Sequence, residues 1–181
     1  GNPFAIEAAI AYGGNLPAEG SVEINRFANR VPLLYQQGAC AITKCVGKTN
    51  WRAYGLKQSG SSVPQGPCVI LVHMASVWVP FTSEAKEAVA HYPEIMKEVR
   101  LALQEVGREL GKYLNKKRRL KKELTKVDYI SKYLPFVGEA LQEILKLDAD
   151  ERARLEMHLK VVLEQSRSIK KDELDELKKN Y

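Results

Sequence analysis

The residues of this chain best suited to chemistry are cations rather than nucleophiles. Lys86 closes a short polar loop, Thr82-Ser83-Glu84-Ala85-Lys86, that follows an apolar run leaving through Trp78, Pro80 and Phe81. Thr82 and Ser83 can cap a helix, which would place Lys86 near that helix's amino end. A cation there opposes the helix dipole by roughly a few tenths of a kcal/mol. A side chain set against the local electrostatic preference points to a partner, and the natural partner of an ammonium beside free helix N–H groups is a phosphate. The plainer reading is one more exposed lysine.

A second group of cations is denser. Lys112, Lys116, Lys117, Arg118, Arg119, Lys121, Lys122 and Lys126 stand against a single acid, Glu123, in a chain whose net charge is +6. Such a stripe attracts a polyanion, or it is the solvated face of a helix. The other reactive types are scattered. His73 lies inside an apolar run, where a hydrogen-bonded structural histidine is the expectation; His91 and His158 have no companions. Cys40, Cys45 and Cys68 are odd in number and lack metal-ligand spacing, so they read as small buried hydrophobes of a reducing compartment. Tyr12, Tyr35 and Tyr54 read as core or rim aromatics. No phosphate-binding glycine loop, no zinc motif and no nucleophile–base–carboxylate set can be assembled from sequence neighbours.

The elements that must position these residues follow from periodicity. At 181 residues, with 45% hydrophobic and 28% charged side chains, the chain can bury one sizeable core with an appended helical region. No apolar run is long enough to span a membrane, and no secretory signal opens the chain. Its start at Gly1-Asn2-Pro3, without an initiator Met, suggests a piece of something longer. Residues 4–12 read as a buried strand ending at Gly13-Gly14. Residues 21–35 read as a strand pair or one bent strand, with Pro32 at an edge or break. Residues 38–54 read as a helix despite Gly47, and residues 57–67 as a flexible surface loop.

Residues 68–75 form the most strand-like run, central in a sheet and covered on both faces. Pro93 suits a helix first turn. From Ile95 through Val99, Ala102, Val106, Leu110, Tyr113, Lys117, Leu120 and Leu124 to Val127, a seam recurs at steps of three and four. It predicts a rod of about 48 Å, weakened by roughly 1 kcal/mol at each of Gly107 and Gly111. Pro135 and Gly138 punctuate the chain before a short amphipathic helix over 139–147. Asp148 and Glu151 have the form of a capping pair for a further helix, and the tail from Lys170 is nearly all charged. The expected division is a body over 1–92, a long helix over 93–127 and a helical extension over 128–181.

The strings PFAIEAAIAYGG, RFANRVPLLYQQGACAITK, VHMASVWVPFTSEAK and YPEIMKEVRLALQEVGREL resemble the transducer domain of the B subunit of archaeal DNA topoisomerase VI. The resemblance covers roughly residues 1–115, and the last third follows it only loosely. It implies an α+β fold, a four-stranded sheet backed by helices with a left-handed crossover and a long C-terminal helix, shared with gyrase and MutL relatives. It implies one part of an ATP-dependent type IIB topoisomerase. In such an A2B2 heterotetramer the B subunit also carries a GHKL-type ATPase domain and a helix–two-turns–helix domain. ATP and Mg are held mainly by that ATPase domain, which is absent here.

The implied partners are the A subunit, a second B subunit and double-stranded DNA, with no membrane, in the cytoplasm at the archaeal nucleoid. By position in the PFTSEAK string, Lys86 corresponds to a lysine that contacts the γ-phosphate of ATP, so that hydrolysis turns the adjoining helix. The stripe at Lys116, Lys117, Arg118, Arg119, Lys121 and Lys122 becomes a candidate DNA-facing surface. The segment 128–181 is expected to dock on the A subunit or on the long helix. No catalytic residue and no metal ligand of the enzyme is expected in this stretch. The competing reading is a non-catalytic basic scaffold that binds nucleic acid or a partner helix.

Overall fold

The computed structural model describes residues 2–165. The described elements are β1 (Phe4–Tyr12), β2 (Glu23–Ala28), β3 (Val31–Pro32), α1 (Ala41–Lys48), β4 (Cys68–Ser76), α2 (Pro93–Leu145) and α3 (Ala149–Gln165), with single 3-10 turns at Gln37–Ala39 and Trp51–Tyr54. The chain gathers into two compact units, Gly1–Asn115 and Lys116–Tyr181.

In the first unit one mixed sheet has the order β1-β4-β2-β3. β4 runs antiparallel to β1, from Phe4↔Ser76 to Tyr12↔Cys68, and parallel to β2. A parallel pair requires a crossover, and the segment carrying α1 supplies it. The expected α+β fold with a four-stranded sheet is therefore present. β4 is central, but only one of its faces is sealed. Cys68, Ile70, Val72 and Met74 are buried, whereas Val69, Leu71, His73 and Ala75 are half-buried.

β1 is likewise not a buried strand. As the sheet's outer strand, it alternates half-buried Phe4, Ile6, Ala8, Ile10 and Tyr12 with exposed Ala5, Glu7, Ala9 and Ala11. The stretch 21–35 resolves into a strand pair. The turn between β2 and β3 puts Asn29 (φ 46°) and Arg30 (φ 70°) in the left-handed region, as the commonest two-residue hairpin requires. The Asn29 side chain exchanges two hydrogen bonds with the Ser76 backbone at 2.8 and 2.9 Å, tying the turn to the end of β4. Pro32 sits on the short edge strand β3, where a missing N–H is tolerated.

The helix expected over 38–54 is shorter. Thr49 Oγ1 donates to the Cys45 carbonyl at 2.8 Å as α1 ends, and Trp51, fully buried, donates its indole N–H to the Val46 carbonyl at 2.7 Å. The 57–67 stretch is irregular yet not a plain surface loop. Gln58 is buried and its amide donates to the carbonyls of Gly47, Thr49 and Ser62 while accepting the Trp51 N–H. Pro64 is fully buried as well.

The first turns of α2 close the core through Ile95, Val99, Leu103, Leu110 and Leu114. The buried line thus passes through Leu103 and Leu114 rather than Ala102 and Tyr113; Tyr113 is exposed and meets Tyr12 edge-on. Gly107 has a packing reason. A Cβ there would lie 2.6 Å from the ring of Tyr54, which in turn sets its ring edge-on to Trp51.

In the second unit α2 does not break at Pro135 and does not end near 127; it continues to Leu145. Proline removes one helical hydrogen bond, but its fixed φ is helical, so the turns on either side persist. Arg152 of α3 spans this stretch, donating to Gln142 Oε1 at 3.1 Å and to the Pro135 carbonyl at 3.4 Å. Gly138 leaves room for Glu156, whose Oε1 would lie 2.6 Å from a Cβ there. The expected helix over 139–147 is thus the end of α2. The capping pair forms as anticipated: Glu151 N–H donates to Asp148 Oδ1 at 2.8 Å, and Asp148 N–H donates to Glu151 Oε2 at 3.0 Å. The charged tail from Lys170 lies outside the described residues.

Candidate functional site

Beyond β4 the chain exposes Val77 and Trp78, then doubles back on itself. Phe81 pairs with Val89, Thr82 N–H donates to the Ala88 carbonyl at 2.9 Å, and Ala90 N–H donates to the Pro80 carbonyl at 2.8 Å. The base of this hairpin is core: Ala88 and Val89 are fully buried. Val89 also holds the start of α1, accepting the Ala41 N–H at 2.9 Å and donating its own N–H to Cys40 Sγ at 3.4 Å. Lys86 is exposed at the tip, its N–H donating to the Ser83 carbonyl at 3.1 Å.

Thr82 and Ser83 therefore cap no helix, since α2 begins only at Pro93, and the dipole argument for Lys86 falls. A different signal replaces it. Lys86 has φ 55°, in the left-handed region, which costs a side-chain-bearing residue roughly 1–2 kcal/mol. The same region holds Asn29, Arg30, Gln36 and Lys146, so this angle marks a tight turn, and what sets Lys86 apart is its place at the tip of a hairpin rooted in the core. Lysine is not a turn-forming type, so no propensity in the sequence announces this conformation. The anchoring role of Val89 was equally hidden, because it depends on contacts about fifty residues away in the chain.

Lys86 makes no ion pair among the described residues, and an exposed ammonium of this kind suits an oxyanion. A metal is a poorer fit: among the described residues no three His, Cys, Asp or Glu side chains come together as a divalent cation would need. The histidine and cysteines take structural roles. His73 Nε2 accepts the Arg30 N–H at 3.1 Å, which leaves the Nδ1 proton for Glu7 Oε2 at 2.8 Å. Burial pushes the Cys45 thiol up, and the Cys68 thiol up to about 11, so neither is a thiolate at neutral pH.

The basic stripe lies on α2 in the second unit. Lys116, Arg118, Arg119, Lys121 and Lys122 are exposed and Lys117 is half-buried. Lys112, on the same helix, pairs with Glu109 at 2.6 Å and Lys126 with Glu123 at 2.9 Å. With about 3.6 residues per turn, Arg118, Lys121 and Lys122 share one face, and they line a single shallow groove with Thr125, Lys126 and Tyr129. By the same repeat Lys116 falls on the opposite side of the helix, and Lys117 and Arg119 fall on its two flanks. The six candidate residues are thus a three-residue face with outliers, and they are not part of the Lys86 loop.

A family model described as the transducer of the topoisomerase VI B subunit matches residues 1–126, from β1 through the loop and into the basic stripe. The chain belongs to this family. The match runs past residue 115, where the resemblance of individual strings fades. Among the topoisomerase VI relatives, the B subunit of type 2 DNA topoisomerase 6 from Methanococcoides burtonii is 53% identical over 148 residues, covering 82% of this chain and 24% of that protein. Its counterpart from Archaeoglobus fulgidus is 47% identical over 155 residues, covering 86% of this chain and 26% of that protein. This transducer therefore spans about a quarter of the length of the curated relatives it matches. The B-subunit of DNA gyrase from Myxococcus xanthus is a distant structural neighbour, with a TM-score of 0.40 and 18% identity over 59% of this chain and 34% of that one.

Proposed function

We propose that this chain is the transducer of an ATP-dependent type IIB DNA topoisomerase. In that role it relays ATP binding and hydrolysis to DNA breakage and strand passage by an A subunit. The observation that carries the reading is the family match over residues 1–126, together with one exposed lysine at the tip of a hairpin rooted in the core. In this reading Lys86 contacts the γ-phosphate of ATP. Bound ATP supplies an anionic group that is present before hydrolysis and lost after it. The chain's own contribution is to anchor the backbone that carries this lysine, through the Phe81–Val89 pairing and the seat of Val89 at the start of α1. The magnesium ligands belong to another part of the longer protein.

The functional parts are a body over 1–92, a linking stretch of α2 over 93–127 and an extension over 128–181 that begins with the rest of α2. The partners are the A subunit, a second copy of the B subunit in an A2B2 assembly, and double-stranded DNA. Arg118, Lys121 and Lys122 meet the DNA, with Lys117 and Arg119 on the flanks of that face and Lys116 behind it. In this reading the protein works in the cytoplasm at the nucleoid. No helix among the described residues is long and apolar enough to cross a membrane.

The test is Lys86→Ala in the complete B subunit, reconstituted with its A subunit. ATP-dependent relaxation of supercoiled DNA falls sharply while thermal unfolding is unchanged. Relaxation at the normal rate removes the sensor role. The exposed face of α2 favours one other reading, a basic scaffold that binds nucleic acid without any link to ATP. That reading predicts salt-dependent DNA binding by this chain alone, and no binding at low salt excludes it.

A further inference from the structure

β1 is an outer strand with an unguarded edge. Its ladder with β4 is unbroken over all nine residues, and Gly13 N–H extends it by donating to the Pro67 carbonyl at 2.8 Å. In an antiparallel pair the backbone groups of successive residues point to opposite sides. Since Gly13 points toward β4, so do the odd-numbered residues of β1. The N–H and C=O groups of Phe4, Ile6, Ala8, Ile10 and Tyr12 therefore face outward, and among the described residues they have no partner.

Folded proteins protect such an edge with proline, lysine, a bulge or an inward charge. β1 has no proline, no lysine and no bulge, and its one charge, Glu7, is turned to His73 across the sheet face. The strand also reads almost the same in both directions, FAIEAAIAY, about Ala8. Set antiparallel to itself with Ala8 on a two-fold axis, it places Phe4 opposite Tyr12, Ile6 opposite Ile10 and Ala8 opposite Ala8. On the other face Ala5 meets Ala11 and Glu7 meets Ala9. The outward backbone groups of each strand then meet those of the other in hydrogen-bonded pairs. Aromatic residues face aromatic, isoleucine faces isoleucine, and no like charges are directly opposed.

We propose that β1 is a self-association edge: a second copy of this chain adds through β1, centred on Ala8, and joins two four-stranded sheets into one of eight strands. The contact is isologous, so each favourable pair occurs twice. It is small as protein interfaces go, which sets its strength in roughly the micromolar range. It rests on β1 alone and is independent of the topoisomerase reading.

Sedimentation of the 181-residue chain, from about 1 to 500 µM, tests it. The expected result is a reversible monomer–dimer equilibrium. Ala8→Pro removes an outward N–H that the folded monomer does not use, so it leaves a folded monomer at all concentrations. Two further variants read the register without touching the backbone. Ala9→Glu sets a like charge against Glu7 twice and weakens the dimer about tenfold, whereas Ala9→Lys sets an opposite charge there and tightens it severalfold. A chain that stays monomeric throughout overturns the proposal. So does a dimer whose affinity is the same in Ala9→Glu and Ala9→Lys, which would use another surface. Outward amides of β1 that are protected from hydrogen exchange in a monomeric longer B subunit would assign the edge to another segment of the same polypeptide, and overturn it equally.

Discussion

The two cationic regions hold their charges in opposite ways. Lys86 is one ammonium on a tip whose backbone is fixed by a cross-strand pairing and by the fully buried Ala88 and Val89 beneath it. The α2 stripe is several long side chains on one helix, spaced by the helical repeat and flanked by the pairs Lys112–Glu109 and Lys126–Glu123. A single charge on an anchored backbone can register the presence or absence of one oxyanion. A row of flexible cations has no such resolution, but it responds to a long line of phosphates, spaced about 1.7 Å apart along a duplex axis. The difference is between a contact and a field, and it predicts all-or-none behaviour in the first region and graded behaviour in the second.

The largest expected effect tests the first half of that contrast. Lys86→Ala in the complete B subunit lowers ATP-dependent relaxation by about a hundredfold, in keeping with the weight of cations that meet a transferring phosphate. A loss of only about twofold makes Lys86 another surface cation and erases the contrast. Next comes the stripe. Replacing Arg118, Arg119, Lys121 and Lys122 together by alanine flattens the dependence of DNA affinity on salt by about 3.6 units of log–log slope, and each single change removes about 0.9. A single variant as damaging as all four shows a specific contact where a field is expected.

Stability measurements sharpen the same comparison on a smaller scale. Val89→Ala empties part of the hairpin's seat and costs about 1–3 kcal/mol in urea unfolding. Lys121→Ala, on the exposed face of α2, changes stability by less than about 0.5 kcal/mol. Smallest of all, Lys86→Gly relieves the left-handed backbone and raises stability by about 0.5–1 kcal/mol while abolishing the function that Lys86→Ala abolishes. A Lys86→Gly chain less stable than the native one would mean that the tip is not strained.

Much of the frame was legible because it rests on local patterns. The apolar run of β4, the edge proline of β3, the start of α2 at Pro93 and the Asp148–Glu151 capping pair all use signals within a few residues of themselves. What was not legible depends on distant partners. Thr82 and Ser83 have the chemistry of a helix start, but Val89 is drawn into the core at the beginning of α1, and the segment closes as a hairpin instead. β4 is apolar enough for two covered faces, yet only one is sealed. Pro135 has the look of punctuation because propensity weighs the lost hydrogen bond, while the helix on both sides and Arg152 carry the chain through it. Lys86 stands out in the sequence, but for a reason the fold removes, and the reason that replaces it is a place at the tip of a hairpin that only the distant seat of Val89 creates.

Gln58 gives the irregular stretch after α1 an unexpected character. Its carboxamide meets four backbone groups, three as donor and one as acceptor, in a place sealed from the surface. That is the usual post of a trapped solvent molecule, which bridges orphaned polar groups inside a protein. Here the bridging molecule is tethered to the chain. It need not be captured from bulk during folding, and it cannot exchange away afterwards. Removing it would leave a polar vacancy that a real water could enter, turning a permanent strut into one that comes and goes.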